Sequence, residues 1–196
     1  MSQESSKIIC IACSTFRSEL EELRKSEEFN LPVHYLDSEL HSDPAELCCQ
    51  MSSLIKDKLE QGKKVLILYG ECHHYMHEQE SMPGVKRVQG LNCCEIMLGR
   101  EKYRSLRKEG VFFLSPEWAK RGREILKVEL KMDDANAKDL MRETHTKIVY
   151  LDTGVMPVPT GHLKEFSDYT GLPCEVVRIT RDHLLAGIRE AMERMT

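Results

Sequence analysis

The sequence holds no apolar run long enough to cross a membrane. Its longest, Val65-Leu66-Ile67-Leu68-Tyr69, is the size of one strand, against the roughly 20 residues a membrane helix needs. Basic charge is not in excess: 28 basic and 32 acidic residues give a net charge of −4, which argues against a nucleic-acid partner. The polar stretch Met1 to Lys7 lacks a basic n-region and a small-residue cleavage site. No signal peptide is read there, and the expected location is the cytoplasm. Gly-x-Gly-x-x-Gly, a Gly-Lys-Ser/Thr phosphate loop, the Gly-x-Ser-x-Gly elbow and His-Glu-x-x-His are all missing. That set of absences argues against the common nucleotide enzymes and zinc proteases. Asp-x-His-x-x-Gly, the signature of a vitamin B12 carrier domain, does not occur either. A corrinoid would therefore be met through a partner.

Cysteine is not scarce. Eight stand among 196 residues, at 10, 13, 48, 49, 72, 93, 94 and 174. In a chain of this length without a signal, such usage points to metal binding or thiol chemistry rather than to a disulfide scaffold. The ten methionines suit a cell living with little oxygen, because both residue types oxidise readily.

The apolar pattern alternates strand and helix almost throughout. Strands are expected at Lys7–Ala12, Pro32–Leu36, Lys63–Tyr69, Val85–Val88, Val111–Leu114, Lys147–Leu151 and Glu175–Ile179. Helices are expected between them: after Ser14, which reads as an N-cap; after Ser42-Asp43-Pro44; over Cys93 to Arg107; and from Asp182 to Met195. The charged segment from Trp118 to Glu143 reads as two helices broken near Asp133-Asp134. Strands joined by helices predict an α/β fold with a mainly parallel sheet and helices on both faces, a Rossmann-like, three-layer arrangement. Residues 1–196 are expected to form a single domain. The Pro/Gly-rich stretch near 144–160 offers the alternative of a two-lobe split.

In an open parallel sheet, ligands bind beyond the carboxyl ends of the strands. The reactive residues fall at those ends. Cys13 follows the first strand, His41 the second, Cys72 and His73 the third, and Cys93 and Cys94 open the helix after the fourth. Thiolate and imidazole are the donors that zinc and iron–sulfur clusters take. The expected metal ligands are Cys13, Cys72 and Cys93 with His41 as the fourth, and with Cys94 or His73 as its substitute. Their sulfurs are expected close enough to share one ion. Cys10, Cys48, Cys49 and Cys174 read as packing thiols. His74 and His77 read as a solvated loop, although His73 and His77 would share a face if the segment were helical.

The same residues resemble a family called domain of unknown function 1638. The likeness runs through Ala12-Cys13, Leu40-His41 with Pro44, and Tyr69-Gly70-Glu71-Cys72. It continues through Cys93, Leu98-Gly99 and Tyr103, then Leu114-Ser115-Pro116 with Trp118, and Asp152-Thr153-Gly154. The chain departs from the pattern at His73-His74, at Leu91-Asn92, and at Gln89, where an arginine is frequent. Members resemble proteins encoded beside corrinoid-dependent methyltransferases in methanogenic archaea and anaerobic bacteria. The resemblance implies a place in such a system, with a corrinoid protein or methyltransferase as partner. Two rivals to a metal centre are a non-catalytic accessory module with buried, reduced cysteines and a thiol redox protein using Cys72 and Cys93.

Overall fold

The computed structural model describes residues 7–128 and 136–195. Residues 1–6, 129–135 and 196 lie outside the description, and with them the break expected near Asp133-Asp134. The chain forms two compact units, Met1–Ile96 with Arg181–Thr196, and Met97–Thr180. Residues 144–160 fall inside the second unit.

The first unit begins with β1 (Ile8–Cys13), whose residues are all buried. An uninterrupted apolar strand is what a parallel sheet covered on both faces requires. One 3-10 turn (Ser14–Phe16) leads into α1 (Arg17–Lys25). Then come β2 (Val33–Leu36), a second 3-10 turn (Ser38–Ser42) and α2 (Pro44–Glu60). After β3 (Lys64–Leu68) follow the short α3 (Met76–Glu80), β4 (Val85–Arg87) and α4 (Cys93–Leu98). Asp43 caps α2, its Oδ1 accepting from the Glu46 N–H at 3.0 Å, with Pro44 in the first turn. Ser14 does not cap α1, which starts without a side-chain cap. Its Oγ instead accepts from the Ser38 N–H at 2.9 Å and ties the turn after β1 to the turn after β2.

The strands pair in the order β2-β1-β3-β4, every pair parallel. The chain steps from β1 to β2, then passes back over β1 to reach β3. Right-handed crossovers put α1 and α2 on opposite faces, and α2 packs on β3. The direction of winding therefore reverses between β1 and β3. That is the switch point of the sheet.

The second unit carries α5 (Arg100–Lys108), β5 (Val111–Leu114), α6 (Pro116–Ala119), α7 (Gly122–Val128) and α8 (Asn136–Thr144). It continues through β6 (Lys147–Asp152), α9 (Thr160–Thr170) and β7 (Cys174–Arg178). Its strands pair in the order β5-β6-β7, again all parallel. The single helix expected over Cys93 to Arg107 is two, because Gly99, at φ 78°, turns the chain between α4 and α5. Leu114, Leu126, Met141, Ile148, Tyr150 and Phe166 form the core, with Cys174 packed against it. The chain then returns to the first unit as α10 (Asp182–Glu193), which packs on β3 and β4.

The fold is α/β with parallel sheets only. Among the described residues, no helix is long and apolar enough to cross a membrane. The cap on α2 gives a direct check of its first turn. Asp43→Ala should lower stability by about 1 kcal/mol, read as a fall in the urea midpoint at unchanged slope; an unmoved midpoint would show that the cap is not made in solution.

Candidate functional site

Because β1, β2 and β3 run parallel, the residues that follow them meet at one edge of the first unit. Cys13 is the last residue of β1, His41 sits in the 3-10 turn after β2, and Cys72 lies in the loop after β3. Cys93 opens α4, in the connection that leaves β4. Cys13 is buried, while His41, Cys72 and Cys93 are half-buried. Cys13 and Cys72 thus flank the switch point, where an open sheet leaves room for a ligand.

Cys72 senses the other two thiols. Burial pushes the Cys72 thiol up to about 12; Cys93 and Cys13 add to the rise, and the Arg87 charge opposes it. Contact with Cys94, and then burial, holds the Cys93 thiol well above its ordinary range. The Cys93 and Cys94 sulfurs are 4.0 Å apart. At neutral pH Cys72 and Cys93 are therefore thiols, not thiolates. Tyr69 joins its two sides. Burial and then the neighbouring Cys13, to which it is hydrogen-bonded, raise its phenol. The hydroxyl donates to the Leu36 carbonyl at 3.3 Å, and the ring stacks toward His41 with centroids 6.5 Å apart.

The loops carrying Cys72 and Cys93 are laced together. The Glu71 N–H donates to the Leu91 carbonyl at 2.9 Å. A Cβ added at Gly70 would collide with Asn92 Cα and stand 2.6 Å from the Leu91 oxygen, so only glycine allows this approach. Asn92 Oδ1 accepts from the Glu95 N–H at 2.9 Å, and Glu95 Oε2 accepts from the Leu91 N–H at 3.0 Å. Those two bonds form a reciprocal cap that fixes the start of α4, and with it Cys93.

The remaining sequence candidates separate. His73 is buried beside Gln79, and burial lowers its pKa, so the ring is neutral. Gln79 Nε2 in turn donates to Ser52 Oγ at 2.8 Å. His74 and His77 are exposed, and His73 precedes α3, so the shared helical face of His73 and His77 does not form. Cys10 lies wholly in the core, its thiol raised to about 12 by burial. Cys49 is exposed rather than packed. Among the described residues, no three Cys, His, Asp or Glu side chains are arranged to hold an ion. In this conformation the donors line one rim without converging.

Two residues at the rim were not singled out by sequence reasoning. Tyr69 reads as the last apolar residue of a strand, and only the fold turns its hydroxyl toward Cys13. Arg87 is a fully buried arginine. Its signal was faint: it shares strand parity with Val85 and so faces the same way as a core residue.

A family model described as "Protein of unknown function (DUF1638)" matches residues 35–186, a span that includes His41, Cys72 and Cys93 and leaves out Cys13. No curated protein and no solved structure matches the chain.

The protonation state of Cys72 can be read directly. Its folded pKa of about 12 lies above the unfolded value of about 8.5. Burial of this thiol therefore adds stability below about pH 8.5 and loses it as pH rises toward 12. In reduced, metal-free protein, the rate of Cys72 alkylation should climb about tenfold per pH unit from neutrality to about pH 11. A plateau reached below about pH 9 would mean that the rim stabilises a thiolate by itself.

Proposed function

The chain belongs to the DUF1638 family, and we propose that it is a cytoplasmic metal-binding protein whose centre lies at the rim of its first sheet. Cys13, Cys72 and Cys93 are the thiolate ligands and His41 the fourth, with Cys94, next to Cys93, as its substitute. The observation that supports this reading is that separate strand-end loops bring Cys13, Cys72 and Cys93 to one rim beside the switch point, where Cys93 and Cys13 both raise the Cys72 thiol. Arg87 is the one cation that eases the Cys72 thiol toward its charged form, and a soft cation supplies the charge that lets the others ionise.

The metal is zinc or an iron–sulfur cluster. Zinc held by the three cysteines would offer its fourth position to a thiol or methyl acceptor when His41 is displaced, and a cluster would carry electrons. The proposed partner is a corrinoid protein or methyltransferase, as the family resemblance implies, with the corrinoid held by that partner. Neutral thiols favour this reading over a Cys72–Cys93 redox pair, which needs a readily formed thiolate as its nucleophile.

Metal content of anaerobically purified protein tests the assignment. Cys72→Ser should lose most of the bound zinc or iron, while Cys48→Ser should keep it, because Cys48 stands on α2 near Ser52 and Gln79. Equal metal in the Cys72 variant and the parent would remove Cys72 from the site. A parent free of metal would leave the accessory-module reading in its place.

A further inference from the structure

Arg87 ends β4, and its side chain is wholly buried. Leaving a guanidinium there is costly unless it is matched. Nε and Nη1 are matched by hydrogen bonds to several segments, while Nη2 makes none. Nε donates to Glu80 Oε2 at 2.6 Å, on α3. Nη1 donates to the Tyr69 carbonyl at 3.4 Å and to the Gly90 carbonyl at 3.2 Å. Nη2 stands 3.8 Å from Glu71 Oε1. The backbone carbonyl of Arg87 accepts from Arg194 Nη2 at 2.8 Å, which fixes the strand end to the chain after α10. Tyr69 leads into the loop that carries Cys72, and Gly90 into the one that carries Cys93. A single planar fork therefore holds the roots of both loops, beneath the Glu71–Leu91 bond that joins them higher up.

We propose that Arg87 is the positioning residue of the thiol rim, holding the Cys72 loop against the Cys93 loop so that both sulfurs face one ligand. The inference rests on the reading of the rim as one site, but not on which ion fills it. Glu80 anchors the guanidinium from α3. His77, on the same helix, lies 3.2 Å from Glu80 and 3.8 Å from Glu71 and closes the outer side of this ion-pair cluster.

A metal-independent test bridges the two thiols. Full-length protein, reduced and stripped of metal with a chelator, is treated with dibromobimane, and the Cys72–Cys93 bridged peptide is quantified by mass spectrometry. The parent should bridge. Arg87→Met should lower the bridge yield by about tenfold, since a misplacement of about 1 Å is costly wherever two groups must meet. Arg87→Lys, which keeps the charge without the fork, should recover only part of it. Circular dichroism of each variant separates loss of position from loss of fold. Where Arg87→Met does not fold, Glu80→Gln takes its place and should lower the yield several-fold by weakening the anchor. Parent-like bridging in the folded variant would overturn the proposal, and so would a parent that does not bridge. Bridging that depends on Arg87 in a protein that takes up no zinc or iron would leave the positioning role standing and remove the metal centre.

Discussion

The loop after β3 meets the loop after β4 backbone to backbone, and the candidate site depends on that contact. Gly70 permits it, because any side chain there would strike Asn92. The Glu71–Leu91 hydrogen bond closes it, and the buried Arg87 underlies it. Without this approach, Cys72 and Cys93 would hang from neighbouring strands on independent loops. With it, two thiols are held on one side of the switch point, while β1 supplies Cys13 on the other. The turns after β1 and β2 are joined in the same manner, through Ser14 and Ser38. Both halves of the rim are thus joined by short links, one from backbone to backbone and one from the Ser38 N–H to the Ser14 hydroxyl.

Charge is the second constraint. The Cys72 thiol is raised by burial and by both Cys93 and Cys13, and the Arg87 charge opposes that rise. Arg87 is itself engaged by Glu80 and Glu71. Cys72 and Cys93 stay protonated in isolation and are poor nucleophiles. In the proposed metal centre an ion would displace their protons, and binding would then depend on pH, since each thiolate ligand releases a proton. This is the physical ground for preferring a metal centre to a redox pair in the proposed function.

Much of this architecture is legible in the sequence. Runs such as Ile8–Cys13 and Val65–Leu68 can only be strands buried on both faces, and the helices between them force parallel pairing. That logic brings Cys13, His41 and Cys72 to one edge. Strand order is not legible, since it depends on which edges pair after the helices have packed. Nor is the role of Arg87. Its partners Tyr69, Glu80 and Gly90 come from three segments, and beyond its strand parity with Val85 nothing local distinguishes it from the exposed arginines of α5. Ser14 shows the same gap at short range. A serine before a helix reads as a cap, but here a backbone N–H from a neighbouring turn, brought close by parallel pairing, takes its hydroxyl. The break at Gly99 was visible as a glycine inside a helical pattern, yet whether such a glycine kinks, ends or merely weakens a helix is decided by packing.

The central claim, that thiols from separate strand ends bind one metal, is tested most directly by X-ray absorption at the metal edge of anaerobically purified protein. The account predicts zinc or iron with sulfur neighbours from Cys13, Cys72 and Cys93 at roughly 2.3 Å, and a reduced sulfur count when Cys72 or Cys93 is replaced by serine. A metal surrounded only by nitrogen and oxygen, or a sulfur count that neither substitution changes, would contradict it.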